Sequence, residues 1–125
     1  MKTKVPLIYP RNITVNIVQS LQVNSSMIEL MPSGEIYDQQ KRFWGEYVKD
    51  ITLMVANPHD NSVVWDGLDK AAEQANSDDK VDLILMDCMG YNVQHMLYLK
   101  ERTDKKVFLP RTAVAAIIRE LLRRS

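Results

Sequence analysis

The sequence predicts an α/β fold, a three-layer α/β/α sandwich around a four-stranded parallel sheet in the order 2-1-3-4. Short apolar runs alternate with longer stretches at helical spacing, and this alternation occurs four times along the chain. Three of the runs are closed by residues that stop a strand: Pro32 after the first, Asn57-Pro58 after the second and Pro110 after the fourth. No Gly/Ser linker or internal repeat divides the chain. With 125 residues and 46% hydrophobic content it can bury one ordinary core but hardly two, so residues 1–125 read as a single domain.

A first helix opens at Pro10, with Ile13, Ile17, Val18 and Leu21 on one face, and ends near Asn24. Met27 to Met31 is the first strand. Glu29 interrupts its apolar run and must either find a partner or sit near a strand end. Ser33 is placed to cap a helix that turns Ile36, Phe43, Trp44, Tyr47 and Val48 inward. Ile51 to Ala56 forms the second strand, after which Asp60 or Ser62 can cap a helix burying Val64, Leu68, Ala71, Ala72 and Ala75. Val81 to Met86 is the third strand. Asn92 then caps a helix with Val93, Met96, Leu97 and Leu99 inward. Lys106 to Leu109 is a short fourth strand. In the last helix Val114, Ile117, Ile118, Leu121 and Leu122 form one stripe, while Arg119, Glu120, Arg123 and Arg124 stay wet.

Sixteen basic and sixteen acidic side chains cancel, which removes the electrostatic footprint expected of a protein that grips nucleic acid or anionic lipid. A single cysteine excludes an internal disulfide and a cysteine-rich metal site, and suits a reducing cytosol. His59 and His95 are too few for a zinc site, so no metal is expected. Met1-Lys2-Thr3-Lys4 is not followed by a signal-peptide core, and no stretch approaches the roughly 18 apolar residues of a membrane span. A soluble, cytoplasmic protein follows from that reading.

In the order 2-1-3-4 the winding of the sheet reverses between the first and third strands, and ligands in such sheets bind beyond the carboxyl ends at that point. Ser33, Gly34 and Glu35 come there from one loop, and Asp87, Cys88, Met89, Gly90 and Tyr91 from the other. Cys88 is the functional candidate. It lies just before a helix N-terminus, whose free N–H groups favour a thiolate and can hold a carboxylate, whereas the charge of Asp87 next door opposes ionisation. Gly90 allows a tight turn with positive φ and close approach of a ligand. The alternative is that Cys88 is a small hydrophobe packed at a strand end. Glu35 reads either as a general base or as an acid complementing a helix dipole. His59 is on the ligand side or simply an exposed loop residue, and His95 reads as surface or half-buried. Arg111 can reach an anion at the same rim or stand solvated, and Tyr91 can stack on a ligand or cap the loop.

The stretches "DLILMDCMGY", "KKVFLPRTAVAAIIRELL" and "VANPHDNS" resemble the C-terminal half of AroM-family proteins, a bacterial group of unassigned activity related to the aspartate/glutamate racemase superfamily. The resemblance runs from about Val5 to Arg123. It implies one lobe of a two-lobed α/β architecture with the site in the cleft between lobes. In the racemases and isomerases of that superfamily one cysteine from each lobe works on a small carboxylate. By this resemblance Cys88 matches the second-lobe cysteine, and Ser33 to Glu35 match a substrate-facing loop. Met89 departs from the pattern, since Thr usually follows that cysteine and helps hold the substrate carboxylate. AroM proteins look about twice as long, so an N-terminal lobe is missing or a twofold homodimer replaces it.

Two functional readings result. One is a cofactor-independent racemase, isomerase or lyase acting on a small carboxylate, with Cys88 and Glu35 as catalytic candidates and Ser33, Gly34, Asp87, Met89, Gly90, Tyr91 and His59 as ligand contacts. Two-base racemisation needs a second acid, and there is no second cysteine. The other is a ligand-binding or interaction domain without turnover.

Overall fold

The computed structural model describes residues 10–21 and 26–122. Four apolar runs become the strands β1 (Ser26–Met31), β2 (Asp50–Val55), β3 (Val81–Met86) and β4 (Lys106–Phe108), all parallel and in the order β2-β1-β3-β4. Five helices are described: α1 (Pro10–Ser20), α2 (Tyr37–Trp44), α3 (Val64–Ser77), α4 (Val93–Arg102) and α5 (Pro110–Leu122). β1 has a neighbour on each side, with Ile28 opposite Thr52 of β2 and Ile84 of β3, and all six of its residues are buried.

Alternation of side chains along the strands divides the core in two. Ile28, Leu30, Ile84 and Met86 point to one face, where α3 and α4 bring Leu68, Ala71, Ala72, Ala75 and Leu99. Met27, Leu83 and Leu85 point to the other, against Val15 and Val18 of α1, Trp44 of α2 and Val48 beyond it. α5 returns to the side of α1. The layers are therefore those the sequence predicts. α3 approaches the sheet edge closely because position 67 is glycine: a Cβ there would come within 2.6 Å of Ala56 Cβ and 2.7 Å of the Val55 carbonyl oxygen.

Several local expectations are corrected. Ser33 does not cap α2, which starts at Tyr37 with Ile36 in the N-cap position and no side-chain cap bond; Ile36 is 44% exposed rather than inward. Neither Asp60 nor Ser62 caps α3 directly. Asp60 accepts from the Ser62 backbone and hydroxyl, shaping the turn before α3, while its main-chain oxygen takes the Val64 N–H at 3.0 Å. In α4 Val93 and Leu97 point outward, and the buried face is His95 and Leu99, with Met96 and Tyr98 packed alongside. Leu121 and Leu122 of α5 are exposed as well. The expected end of the first helix near Asn24 lies outside the described residues.

The Asn92 cap is present and reciprocal. Its side chain accepts from the His95 N–H at 3.0 Å, and its own N–H donates to His95 Nδ1 at 3.1 Å. Histidine thus takes the place that Glu or Gln usually fills in a capping box. The acceptor nitrogen must be unprotonated, and burial indeed holds the His95 imidazole below its usual titration range. A depressed histidine contributes stability above its ordinary range and loses it as pH falls, because protonation destroys the acceptor. Asn92→Ala is expected to cost about 1 kcal/mol in urea unfolding near neutral pH.

Candidate functional site

At the end of β3 the chain turns sharply. The Asp87 N–H still donates to Leu30 of β1 at 3.0 Å, but the next bonds are local: Cys88 N–H to the Met86 oxygen at 3.1 Å and Tyr91 N–H to the Cys88 oxygen at 3.3 Å. Inside this turn the Gly90 N–H donates to Cys88 Sγ at 3.4 Å. Gly90 has no left-handed backbone, contrary to expectation. Its missing side chain instead admits the loop after β2, because a Cβ would stand 2.8 Å from both Pro58 Cγ and His59 Cε1. Tyr91 anchors the turn from below. Its ring is fully buried and its hydroxyl donates to the Ala56 carbonyl, tying the end of β3 to the end of β2. Burial first, then the acidic groups around it, push the Tyr91 phenol up, so it stays a neutral donor.

A cleft of about 680 Å³ opens over this turn on the α1/α5 side. Its floor is Met86, Asp87, Cys88 and Met89; Arg11 and Thr14 of α1 form one wall, and Pro110, Arg111, Val114, Ala115 and Ile118 of α5 form the other. Cys88 is half-buried and also packs against the core on the opposite face. Arg11 reaches Asp87 at 2.9 Å while its guanidinium lies 5.1 Å from the centre of the Phe43 ring. Arg111 donates to the Tyr91 and Met89 carbonyl oxygens at 3.2 and 3.4 Å, and no described carboxylate is paired with it.

Beneath the floor sits Glu29, wholly buried in mid-strand, with neither carboxyl oxygen receiving a hydrogen bond. Burial, followed by the adjoining Asp87, pushes its carboxyl up to about 9, against the opposing pull of Arg11. Glu29 is thus a neutral acid at neutral pH.

Of the residues expected at the switch point, Asp87, Cys88 and Met89 meet in the cleft. Gly90, Tyr91 and His59 stand behind it, supporting the turn. Ser33, Gly34 and Glu35 lie in the loop from β1 to α2 and do not line the cleft; Gly34 and Glu35 are exposed. The physical reason is the return of α5 beside α1, which roofs β3 rather than the end of β1. Arg11 went unrecognised because no spacing connects it with a residue 76 positions away. Glu29 did leave a signal, as the one charge within β1. Among the described residues no group of three or more His, Cys, Asp or Glu is placed to hold a metal ion, and no helix is long and apolar enough to cross a membrane.

A family model described as AroM protein matches residues 1–122. The chain belongs to the AroM family. No curated protein and no solved structure matches it. Within this AroM chain the match takes in α1 and α5 as well as the sheet, so both walls of the cleft fall inside the family region.

Proposed function

We propose that this AroM-family protein binds a small carboxylate in the cleft over the end of β3. The observation that carries the reading is Arg111, fixed at the rim by two backbone carbonyls and left without a carboxylate partner among the described residues. A carboxylate bound there accepts charge-assisted hydrogen bonds from the guanidinium. Its carbon skeleton lies against Val114, Ala115 and Ile118, with Cys88 and Asp87 at the floor. The single free cysteine suits a reducing compartment such as the cytosol.

Amide chemical-shift mapping with acetate, malonate and benzoate tests the reading. Shifts are expected at Cys88 to Tyr91 and at Arg111, and Arg111→Ala should weaken binding about tenfold, the loss of one charge-assisted hydrogen bond. Silence of those amides toward all three compounds would contradict it. Turnover of the cofactor-independent isomerase, racemase or lyase kind places Cys88 as proton carrier or nucleophile. Incorporation of solvent deuterium at the carbon beside the carboxylate, lost in Cys88→Ser, separates such an enzyme from a binding domain without turnover.

The same proposal includes a twofold homodimer. Ile118 continues into Leu121 and Leu122, which are 56% and 53% exposed, and the two-lobed architecture implied by the sequence resemblance needs a second wall near this helix. Sedimentation should show a dimer that Leu121→Glu dissociates. A clean monomer at micromolar concentration would count against it.

A further inference from the structure

The feature that carbon-skeleton binding leaves unexplained is the acid beneath the cleft. Glu29 occupies the middle of β1, a strand paired on both sides, in a run that is otherwise apolar apart from Ser26. As a carboxylate it receives no hydrogen bond of normal length, the indole N–H of Trp44 being unbonded as well. Arg11, the guanidinium nearest the floor, spends its 2.9 Å contact on Asp87 and leaves Glu29 without a bonded counter-charge. As an acid, however, Glu29 has an acceptor within reach: it pairs with Leu85 of β3, two residues before Asp87, and the Asp87 N–H still bonds to Leu30, so side-chain alternation puts both carboxyls on the same face of the sheet at neighbouring positions. Burying a charged group without partners is far costlier than burying a protonated one whose O–H is accepted. Geometry therefore favours one proton on Glu29 and one negative charge on Asp87, matched by Arg11.

We propose that Glu29 and Asp87 form a proton-sharing carboxyl pair: Asp87 exchanges a proton with a carboxylate compound in the cleft, and Glu29 is the positioning residue that holds the proton in reserve. This rests on the reading of the cleft as a carboxylate site. It gives that site an acid distinct from Cys88. Asp87 is ionised at rest, so in the forward step the proton on Glu29 moves to the Asp87 carboxylate, which passes it to the electron pair on the carbon beside the ligand's carboxylate. The O–H bond of Glu29 breaks, one C–H bond forms on the ligand, and the pair is left one proton short. Water returns the proton to the pair after release. The compound so served is a small carboxylic acid whose neighbouring carbon takes up or loses a proton.

Among the described residues, four side chains face the pair. Arg11 comes from α1, the Trp44 indole from α2, and Cys88 and Tyr91 from the turn after β3. Burial first and Asp87 second raise the Glu29 carboxyl, and the Tyr91 phenol is raised by burial, with Cys88, Asp87 and Glu29 adding to it.

Carboxyl-carbon NMR of the full chain, labelled with carbon-13 in Asp and Glu and assigned through bonds in the wild type, tests the pair without any substrate. Glu29 is expected to stay protonated through neutral pH. Asp87 should show a second inflection at the pH where Glu29 finally titrates, and that inflection should vanish in Glu29→Gln while the amide spectrum keeps its dispersion. If the variant fails to fold, the coincidence of the two inflections in the wild type decides alone. Glu29 titrating in the ordinary carboxylate range, or Asp87 titrating without a second inflection, overturns the proposal. Carboxylate mapping does not depend on Glu29, so binding with an ordinary Glu29 removes only the pair. A shared proton without any carboxylate binding removes the ligand reading and the exchange step built on it.

Discussion

Glu29→Gln is expected to make the protein more stable at alkaline pH. In the folded protein Glu29 holds its proton up to about 9, whereas the unfolded chain releases it near the ordinary value of 4.5. Between those values the unfolded state binds fewer protons than the folded state, so stability falls as pH rises and the contribution is lost as the folded value is passed. Each pH unit inside the window is worth about 1.4 kcal/mol, so the wild type should lose about 3 kcal/mol relative to Glu29→Gln between about pH 6 and about pH 8. Glutamine keeps the shape and can still donate to Asp87, which isolates the proton from the packing. Urea unfolding at a series of pH values reads the difference directly. Parallel pH dependences for the two proteins would mean that Glu29 ionises normally.

Tyr91→Ala should be the more damaging change, at about 4 kcal/mol, because it empties a fully buried ring site and removes the hydroxyl bond to Ala56. Tyr91→Phe keeps the ring and should cost about 1 kcal/mol. The larger interest lies in position. Tyr91 packs edge-on to His95, with ring centres 6.0 Å apart, and its hydroxyl tethers the turn that carries Asp87 and Cys88. Releasing the tether should speed alkylation of Cys88 in both variants, and more in the Ala variant, which also empties the ring site. Equal rates in all three folded proteins would show that the turn is held by other contacts.

The sheet was legible because its signals are local. β3 has the bounds expected of it, and Asn92 caps the following helix, since an apolar run with an Asx residue six places beyond the strand needs no tertiary knowledge. Helix faces were less legible. Helical spacing defines a stripe, but which side of it meets the sheet depends on the cap and the crossing angle; Val93 and Leu97 consequently point out while His95 points in. For α5 the stripe is real, yet its last turn leaves Leu121 and Leu122 uncovered. The cleft was half visible. Asp87, Cys88 and Met89 follow from topology alone, but the wall that faces them depends on α1 packing beside α5, a pairing between opposite ends of the chain. Glu29 shows the most useful kind of mismatch, a charge placed where local rules forbid one, as commonly happens at functional sites.

Protection of Cys88 from iodoacetamide by small carboxylates tests the central claim most directly, since Cys88 and Arg111 line the same cleft. Malonate or benzoate is predicted to slow alkylation in the wild type, with much weaker protection in Arg111→Ala. A Cys88 that reacts at the same rate whether or not any carboxylate is present would contradict the assignment of this cleft as a carboxylate site.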